Sequence, residues 1–391
     1  MTGPTVLLCA TIAVPLALLL ACLARGVRER MIVLLALAPL PALAAALFAR
    51  EAAPFVVAAG HLQVTLALDR PGALLLGVAA LLWMAAGAYA ARYLRGTPNL
   101  GRFAVCWLMT LAGCLGVFVA ADMVTLYFLL ALQTLGACGL VIHDETPRAW
   151  RSGTFYVGLA LAGETVILMA MVLLAAEIPG DSLLIRDATA ALADSPRRDL
   201  ILALLVGGFG LKAGLVPLHV WMPLAHAAAP VPASAVLSGA VVKVGIIGLI
   251  RFLPIEAGIE SWGIGLAAAG LFTALYAVAI GITQTHPKAV LAYSSVSQMG
   301  VVVAVIGMGL SAGEPTASLA AAFYASHHVL VKGALFLAVG IVAATGSRRL
   351  RWILLPCAVL AVGLGGLPFT GGALAKYAVK APLGDGLAGT L

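Results

Sequence analysis

Apolar runs close to twenty residues long recur along the whole chain, and no other feature limits its fold as tightly. A helix needs about 20 apolar residues to cross the hydrocarbon of a bilayer. Runs of that kind lie near 5–24, 31–49, 72–91, 103–120, 123–142, 153–176, 200–217, 229–252, 261–282, 289–310, 317–343 and 352–382. Lipid offers the backbone no hydrogen-bond partners, so only helices and closed barrels span it. Barrel strands are about ten residues long and alternate in polarity; these runs do neither. Composition agrees, with 63% of residues hydrophobic and 10% charged, against roughly 25% charged in soluble domains. The sequence predicts an all-α integral membrane protein of about twelve transmembrane helices.

The basic residues set the expected orientation. Arg25, Arg28 and Arg30 follow the first run, and Arg92, Arg95 and Arg102 separate the third from the fourth. Arg148 and Arg151 follow the fifth, Lys288 precedes the tenth, and Arg348, Arg349 and Arg351 precede the twelfth. All of these fall on one side. The opposite loops hold Arg50, Arg70, Arg186, Arg197, Arg198 and Arg251, diluted by acids. The positive-inside rule then puts the odd-to-even connections in the cytoplasm and the N-terminus outside, in the inner (plasma) membrane of a cell. No basic residue precedes the first run, which argues against a cleaved signal peptide of the usual kind. The net charge of +7 thus reflects topology and gives no sign of a nucleic-acid partner. Cys9, Cys22, Cys106, Cys114, Cys138 and Cys357 all lie in predicted helices without metal spacing, so they read as small buried hydrophobes. No cofactor or metal is expected.

Two connections are long enough to hold structure: 177–199, with room for a short interfacial helix, and 50–72, whose alternation suggests a hairpin on the outer face. Two helices are expected to be broken. The seventh run ends at Pro217, and "GLGGLPFTGG" interrupts the twelfth. Paired Gly/Pro-interrupted segments in the two halves of a transporter point to inverted repeats around a midplane site.

Ionisable residues inside the runs carry the functional signal. Each costs at least ~2.5–3.5 kcal/mol at the bilayer centre. Glu164, Lys212, Lys243, Lys332 and Lys376 sit within runs, with Asp122 nearer one face; together they would cost about 15 kcal/mol unpaired. Pro217 has no N–H, so the Ala213 carbonyl loses its helical partner beside Lys212. In lipid that carbonyl must find protein or water, which predicts a wet pocket next to the lysine. A lysine holds its proton less tightly away from water and more tightly beside a carboxylate. His219 and His226 follow the break, and histidine can pass a proton between neighbours. "SHHVLVKGALF" puts His328 and Lys332 on one helical face, with His327 pointing elsewhere.

A line from Lys212 through His219 or His226, Lys243, His328 and Lys332 to Lys376 would run across the membrane midplane, joined by water. Quieter readings stand beside some members. One intramembrane lysine is compatible with a structural salt bridge, and His219 beside Trp221 with a loop anchor. Asp122 suits a helix N-terminus, Lys288 an interfacial anchor, and Lys380 a snorkelling helix end.

"GLKAGLVPLHVWMPLAHAAAPVPASAVLSGAVVKVG" (210–245), "AYSSVSQMG", "HHVLVKGALFLAVG" and "GLPFTGGALAK" resemble, in order, motifs of the antiporter-like membrane subunits. That family is shared by respiratory complex I, Mrp-type cation/proton antiporters and membrane-bound hydrogenases. The resemblance spans roughly 100–380 and implies two inverted five-helix repeats, each with one broken helix. On this chain that gives helices 1–3 over 1–100, a first repeat over 101–252 and a shortened second repeat over 261–391. It also implies proton-moving roles for Lys212, Lys243, His328, Lys332 and Lys376. The family commonly has fourteen helices, so a partner subunit is expected to supply what the second repeat lacks. The family also pairs the lysine of its seventh helix with a glutamate in the fifth. Here that position reads Gln133, and Glu164 in the sixth run is the expected substitute.

The reading that follows is a proton-translocating membrane subunit of a complex I-like or hydrogenase-linked assembly. It would have other membrane subunits as partners and no redox chemistry of its own. Two alternatives stay open. One is a cation/proton antiporter (Na+ or K+) or ion-coupled inorganic-carbon transporter subunit. The other is a structural subunit that no longer conducts, favoured by Gln133 and the shortened second repeat.

Overall fold

The computed structural model describes residues 3–50, 54–59, 62–178, 180, 182–345 and 350–383. Arg348 and Arg349 of the predicted basic loop lie outside them, as do residues 51–53, 60, 61, 179 and 181 of the two long connections. Helices α1 (Gly3–Ala21), α2 (Arg25–Arg30) and α3 (Leu40–Phe48) precede a hairpin of β1 (Phe55–Ala59) and β2 (Leu62–Leu66). Next come α4 (Arg70–Tyr93), α5 (Leu100–Val119), α6 (Met123–Val141), α7 (Pro147–Glu177) and the short α8 (Ile185–Ala193). The centre of the chain forms α9 (Arg198–Ala213), α10 (Trp221–Ala228), α11 (Val231–Val236) and α12 (Lys243–Phe252). It closes with α13 (Glu260–Gly281), α14 (Pro287–Ala312), α15 (Thr316–Ala344), α16 (Leu350–Leu364) and α17 (Gly371–Leu383).

Ten spans among the described residues are long and apolar enough to cross a membrane, two fewer than the runs predicted. The difference lies in segmentation. Over 31–49 the chain makes a 3-10 turn, hydrogen-bonded turns and only nine residues of α3. Pro39 and Pro41 lack the N–H donors an unbroken helix needs there. The twelfth run is a pair of half-helices, α16 and α17. The seventh run also differs from expectation. Helix resumes after Pro217, so the broken span extends from Arg198 to Ala228 and not to 217 alone.

Local chemistry explains the ends. Asp69 starts α4 by accepting from Gly72 N–H at 2.7 Å, and Thr146 starts α7 by accepting from Ala149 N–H at 3.1 Å. Asp122 accepts from Thr125 N–H at the start of α6 and from Thr65 N–H of the hairpin, both at 2.7 Å. It is therefore a cap, the quieter of its two sequence readings. The expected hairpin pairs antiparallel, Val57 opposite Val64. The expected interfacial helix is α8, whose Thr189 donates to the carbonyl of Arg251 at the end of α12.

That arginine ties three helix ends together. Its guanidinium meets both carboxylate oxygens of Asp69 at 2.9 and 3.1 Å and the carbonyls of Val117, Phe118 and Ala120 at the end of α5. All five of its N–H donors are used.

The hub is the span Val231–Phe252, whose apolar window is wholly enclosed by the rest of the chain. Lipid can touch helices on the rim but not this one. Gly245 lets α12 lie directly on α9: a Cβ there would sit 2.5 Å from Ala213 N and 2.6 Å from the Phe209 carbonyl. This crossing puts Lys212, at the end of α9, beside the start of α12 with Lys243.

Candidate functional site

Helix α9 stops one turn after its last glycine pair because Gly214 takes a left-handed conformation, φ 82°. Leu215 N–H reaches back to the Gly210 carbonyl and Gly214 N–H to that of Leu211, the usual way to satisfy helix-end acceptors. The Trp221 indole donates to the Leu211 carbonyl at 2.9 Å, and Val216 N–H finds Thr273 Oγ1 of α13 at 3.2 Å. Protein groups thus satisfy the Gly210 and Leu211 carbonyls and the Val216 N–H around the break. What lies beside Lys212 is a cavity of about 10 Å³ lined by Gln133, Tyr156, Ala160, Leu211, Lys212, Trp221 and Val241. That is close to the smallest space that holds one water molecule. Gln133 is buried there with its amide oxygen unpartnered.

Lys212 is held at the first of two polar centres. Its Nζ lies 2.6 Å from Glu164 Oε1 of α7 and 2.8 Å from Thr134 Oγ1 of α6. Thr134 donates to the same carboxylate oxygen. Lys212 and Glu164 are 6% and 3% exposed, so the pair is sealed from its surroundings. The glutamate comes from α7, where the sequence looked for it, and not from the glutamine position in α6. Thr134 was missed. The only signal was its place beside Gln133 on a helix already under suspicion.

The second centre is built on α12, α14 and α15. The span widens into a π turn over Leu237–Val241, shortly before Lys243. Lys243 Nζ meets His328 Nδ1 at 2.6 Å and donates to the Ser238 carbonyl at 3.0 Å. Lys332, one turn beyond His328, donates to the Leu291 carbonyl of α14 at 3.2 Å. All three side chains are buried, and His328 Nε2 has no protein partner. No carboxylate among the described residues forms an ion pair with either lysine. Sequence reasoning also missed Ser238 and Ser295, whose hydroxyls lie 2.7 Å apart.

The remaining expected residues divide. His226 is fully enclosed, with neither ring nitrogen partnered. Its ring lies 6.3 Å from that of Trp221, at the first centre, and 5.3 Å from that of Phe336, four residues past Lys332. It therefore stands between the centres. His219 is buried against Tyr276 and Tyr293 at 5.5 and 5.9 Å, and no hydrogen bond among the described residues joins it to either centre. Lys376 is not gathered in. It lies exposed on α17, with its stem folded over the left-handed turn at Gly366. His327, set aside by the sequence, packs against Gly371 and Gly372 at the break between α16 and α17. Lys288 reaches the Ala229 carbonyl at 2.6 Å, joining α14 to the segment before α11. No group of three or more His, Cys, Asp or Glu residues suited to a metal ion occurs among the described residues.

A multi-pass helical membrane protein with two enclosed, hydrogen-bonded lysine centres is the class that fold and site define. The sequence matches the family model described as "NADH:quinone oxidoreductase/Mrp antiporter, TM" over residues 120–381, and the chain belongs to that family. It is 29% identical over 355 residues to Hydrogenase-4 component B of Escherichia coli (strain K12), covering 85% of this chain and 52% of that protein. It is 32% identical over 300 residues to NADH-quinone oxidoreductase subunit N of Desulforudis audaxviator (strain MP104C), covering 73% of this chain and 58% of that protein. The chain thus spans about half the length of these relatives. A chain in the structure of the Mrp complex from Dietzia sp. DQ12-45-1b shares the fold, with a TM-score of 0.84 and 23% identity over 100% of this chain and 76% of that one.

Proposed function

We propose that this chain is a proton-translocating, antiporter-like subunit of a multi-subunit membrane assembly of the complex I-like or hydrogenase-linked kind. It lies in the inner membrane with its N-terminus outside. The observation that carries this reading is the pair of sealed centres on either side of one glycine-tight helix crossing, each with an amine in direct contact with a proton-accepting group. The amine of Lys212 can give a proton toward the cavity or keep it against Glu164. Lys243 and His328 share one hydrogen bond, so a proton can reside on either atom. His226, enclosed between them with both nitrogens unused, suits transfer from one centre to the other through water. Interactions among these groups act at low dielectric, where two unit charges 4 Å apart interact by about 4 kcal/mol at an effective dielectric of 20. A neighbouring subunit that moves a charge or a helix end can therefore change which group owns the proton. Lys376, exposed on this chain, would serve as the contact to whatever adjoins α17. The partition into helices 1–3 (1–100), a first repeat (101–252) and a second repeat (261–391) belongs to the same proposal.

The test is proton flux in vesicles holding the assembled complex. Lys212→Ala and Lys243→Ala should each lower flux by about tenfold or more, equivalent to losing ~1.4 kcal/mol of barrier stabilisation. Wild-type flux in both would establish the non-conducting, structural alternative. Flux that requires Na+ on the opposite side would establish the cation/proton antiport alternative instead.

A further inference from the structure

The "AYSSVSQMG" motif contributes a buried hydroxyl that the pathway above does not use. Ser295 of α14 lies 2.7 Å from the hydroxyl of Ser238, in the π turn before Lys243. Both serines are fully enclosed. Ser295 Oγ also donates to the Leu291 carbonyl at 3.1 Å. Each hydroxyl has one proton to donate; when Ser295 gives its proton to the Leu291 carbonyl, Ser238 is the donor to Ser295. The carbonyls at the two ends of this bridge are the seats of the two lysines. Lys243 donates to the Ser238 carbonyl at 3.0 Å and Lys332 to the Leu291 carbonyl at 3.2 Å. A carbonyl oxygen has two lone pairs, so Leu291 accepts both Ser295 and Lys332 without conflict. One short hydroxyl bridge thus ties together the two backbone acceptors that hold the amines.

We propose that Ser238 and Ser295 are positioning residues that fix the spacing between the Lys243 and Lys332 seats and so couple the protonation of one lysine to that of the other. The proposal rests on the proton-translocation reading. The π turn gives the bridge its reach, because an extra residue in the turn re-aims the side chains around it. The serines carry no proton across; they hold the distance over which the two ammonium charges repel.

The experiment measures proton flux against pH in vesicles containing the assembled complex, per assembled subunit, for Ser238→Ala, Ser295→Ala, the double variant, Ser295→Cys and Lys243→Ala. Either alanine variant should lower flux about fivefold, the scale of one lost buried hydrogen bond, and should shift the midpoint of the pH profile by about half a unit or more. The double variant should be no worse than the singles, since both break the same bridge. Ser295→Cys, with a weaker donor of similar size, should restore part of the wild-type profile. Loss of flux in Lys243→Ala alongside an unchanged pH profile in the serine variants would overturn the bridge and leave the pathway standing. Additive losses in the double variant would overturn it too. Wild-type flux in Lys243→Ala would overturn the pathway reading and the bridge with it.

Discussion

Lys212 and Lys243 are both sealed within the helices, yet their neighbours differ in kind. Lys212 faces a carboxylate, Glu164, shared with the Thr134 hydroxyl. Lys243 faces an imidazole, with a second lysine one turn farther along α15 and only carbonyl and hydroxyl oxygens around them. The first centre can hold a proton with no net charge, as ammonium and carboxylate. The second cannot: every proton it gains beyond neutrality is an uncompensated positive charge away from water, which is costly. The lesson of the difference is a division of labour. On the proposed function, the first centre would retain a proton until its carboxylate is disturbed, and the second would pass on what it receives.

The sharpest way to break this contrast is to exchange the partners. Glu164→Gln removes a counter-charge from a buried pair, a change worth about 3–5 kcal/mol, and should cut proton flux by about a hundredfold. Adding Gln133→Glu to it returns a carboxylate to the cavity that Lys212 and residue 133 both line, and flux should recover in part. A double variant as inactive as the single would show that a carboxylate at position 133 cannot serve Lys212. His328→Ala removes a hydrogen-bond partner and not a formal counter-charge, so its loss should be smaller, about tenfold. Equal losses in Glu164→Gln and His328→Ala would end the distinction between the centres.

Finer changes sharpen it. Thr134→Val keeps the shape but deletes the hydroxyl that donates to Glu164 and accepts from Lys212. Flux assays should show a fall of about fivefold. The smallest effect belongs to the clasp that anchors the end of α12. Against partial desolvation of the exposed Asp69 carboxyl, the Arg251 guanidinium and the Gly72 N–H hold it below the usual carboxylate range. A depressed folded-state pKa means the contribution is present at neutral pH and lost as pH falls through that value. Asp69→Asn should lower the thermal midpoint of the detergent-solubilised protein at pH 7, with the gap to wild type closing in strong acid. A gap independent of pH would remove the ion pair from the account.

Much of this was legible in the chain. Long apolar runs force helices because the backbone has no other way to satisfy itself in lipid. The hairpin and the α8 helix followed from alternation and from the length of the polar connections. Glu164 stood out as a carboxylate in an apolar run, with Gln133 in the position where the family resemblance called for an acid. The expectations that shifted all depend on three-dimensional packing. A pair of prolines turned a nineteen-residue run at 31–49 into segments. The end of the seventh run could not be read because helix resumes at Trp221 beyond Pro217, where the Trp221 indole donates to the Leu211 carbonyl across the break.

Charge burial and its spacing along the chain were enough to mark Lys212, Lys243, His328 and Lys332, because an ionisable group in an apolar run is too costly to be incidental. Which acid meets which amine is a different kind of fact. It depends on residues 48 apart in Lys212–Glu164 and 85 apart in Lys243–His328, brought together where α7 packs against α9 and α12 against α15. Only packing could separate the compensated lysine from the uncompensated one, gather Ser238 and Ser295 into one bridge, and leave Lys376 on the outer surface of α17. A sequence states what each residue can do to a proton; the distances between residues decide where the proton can go.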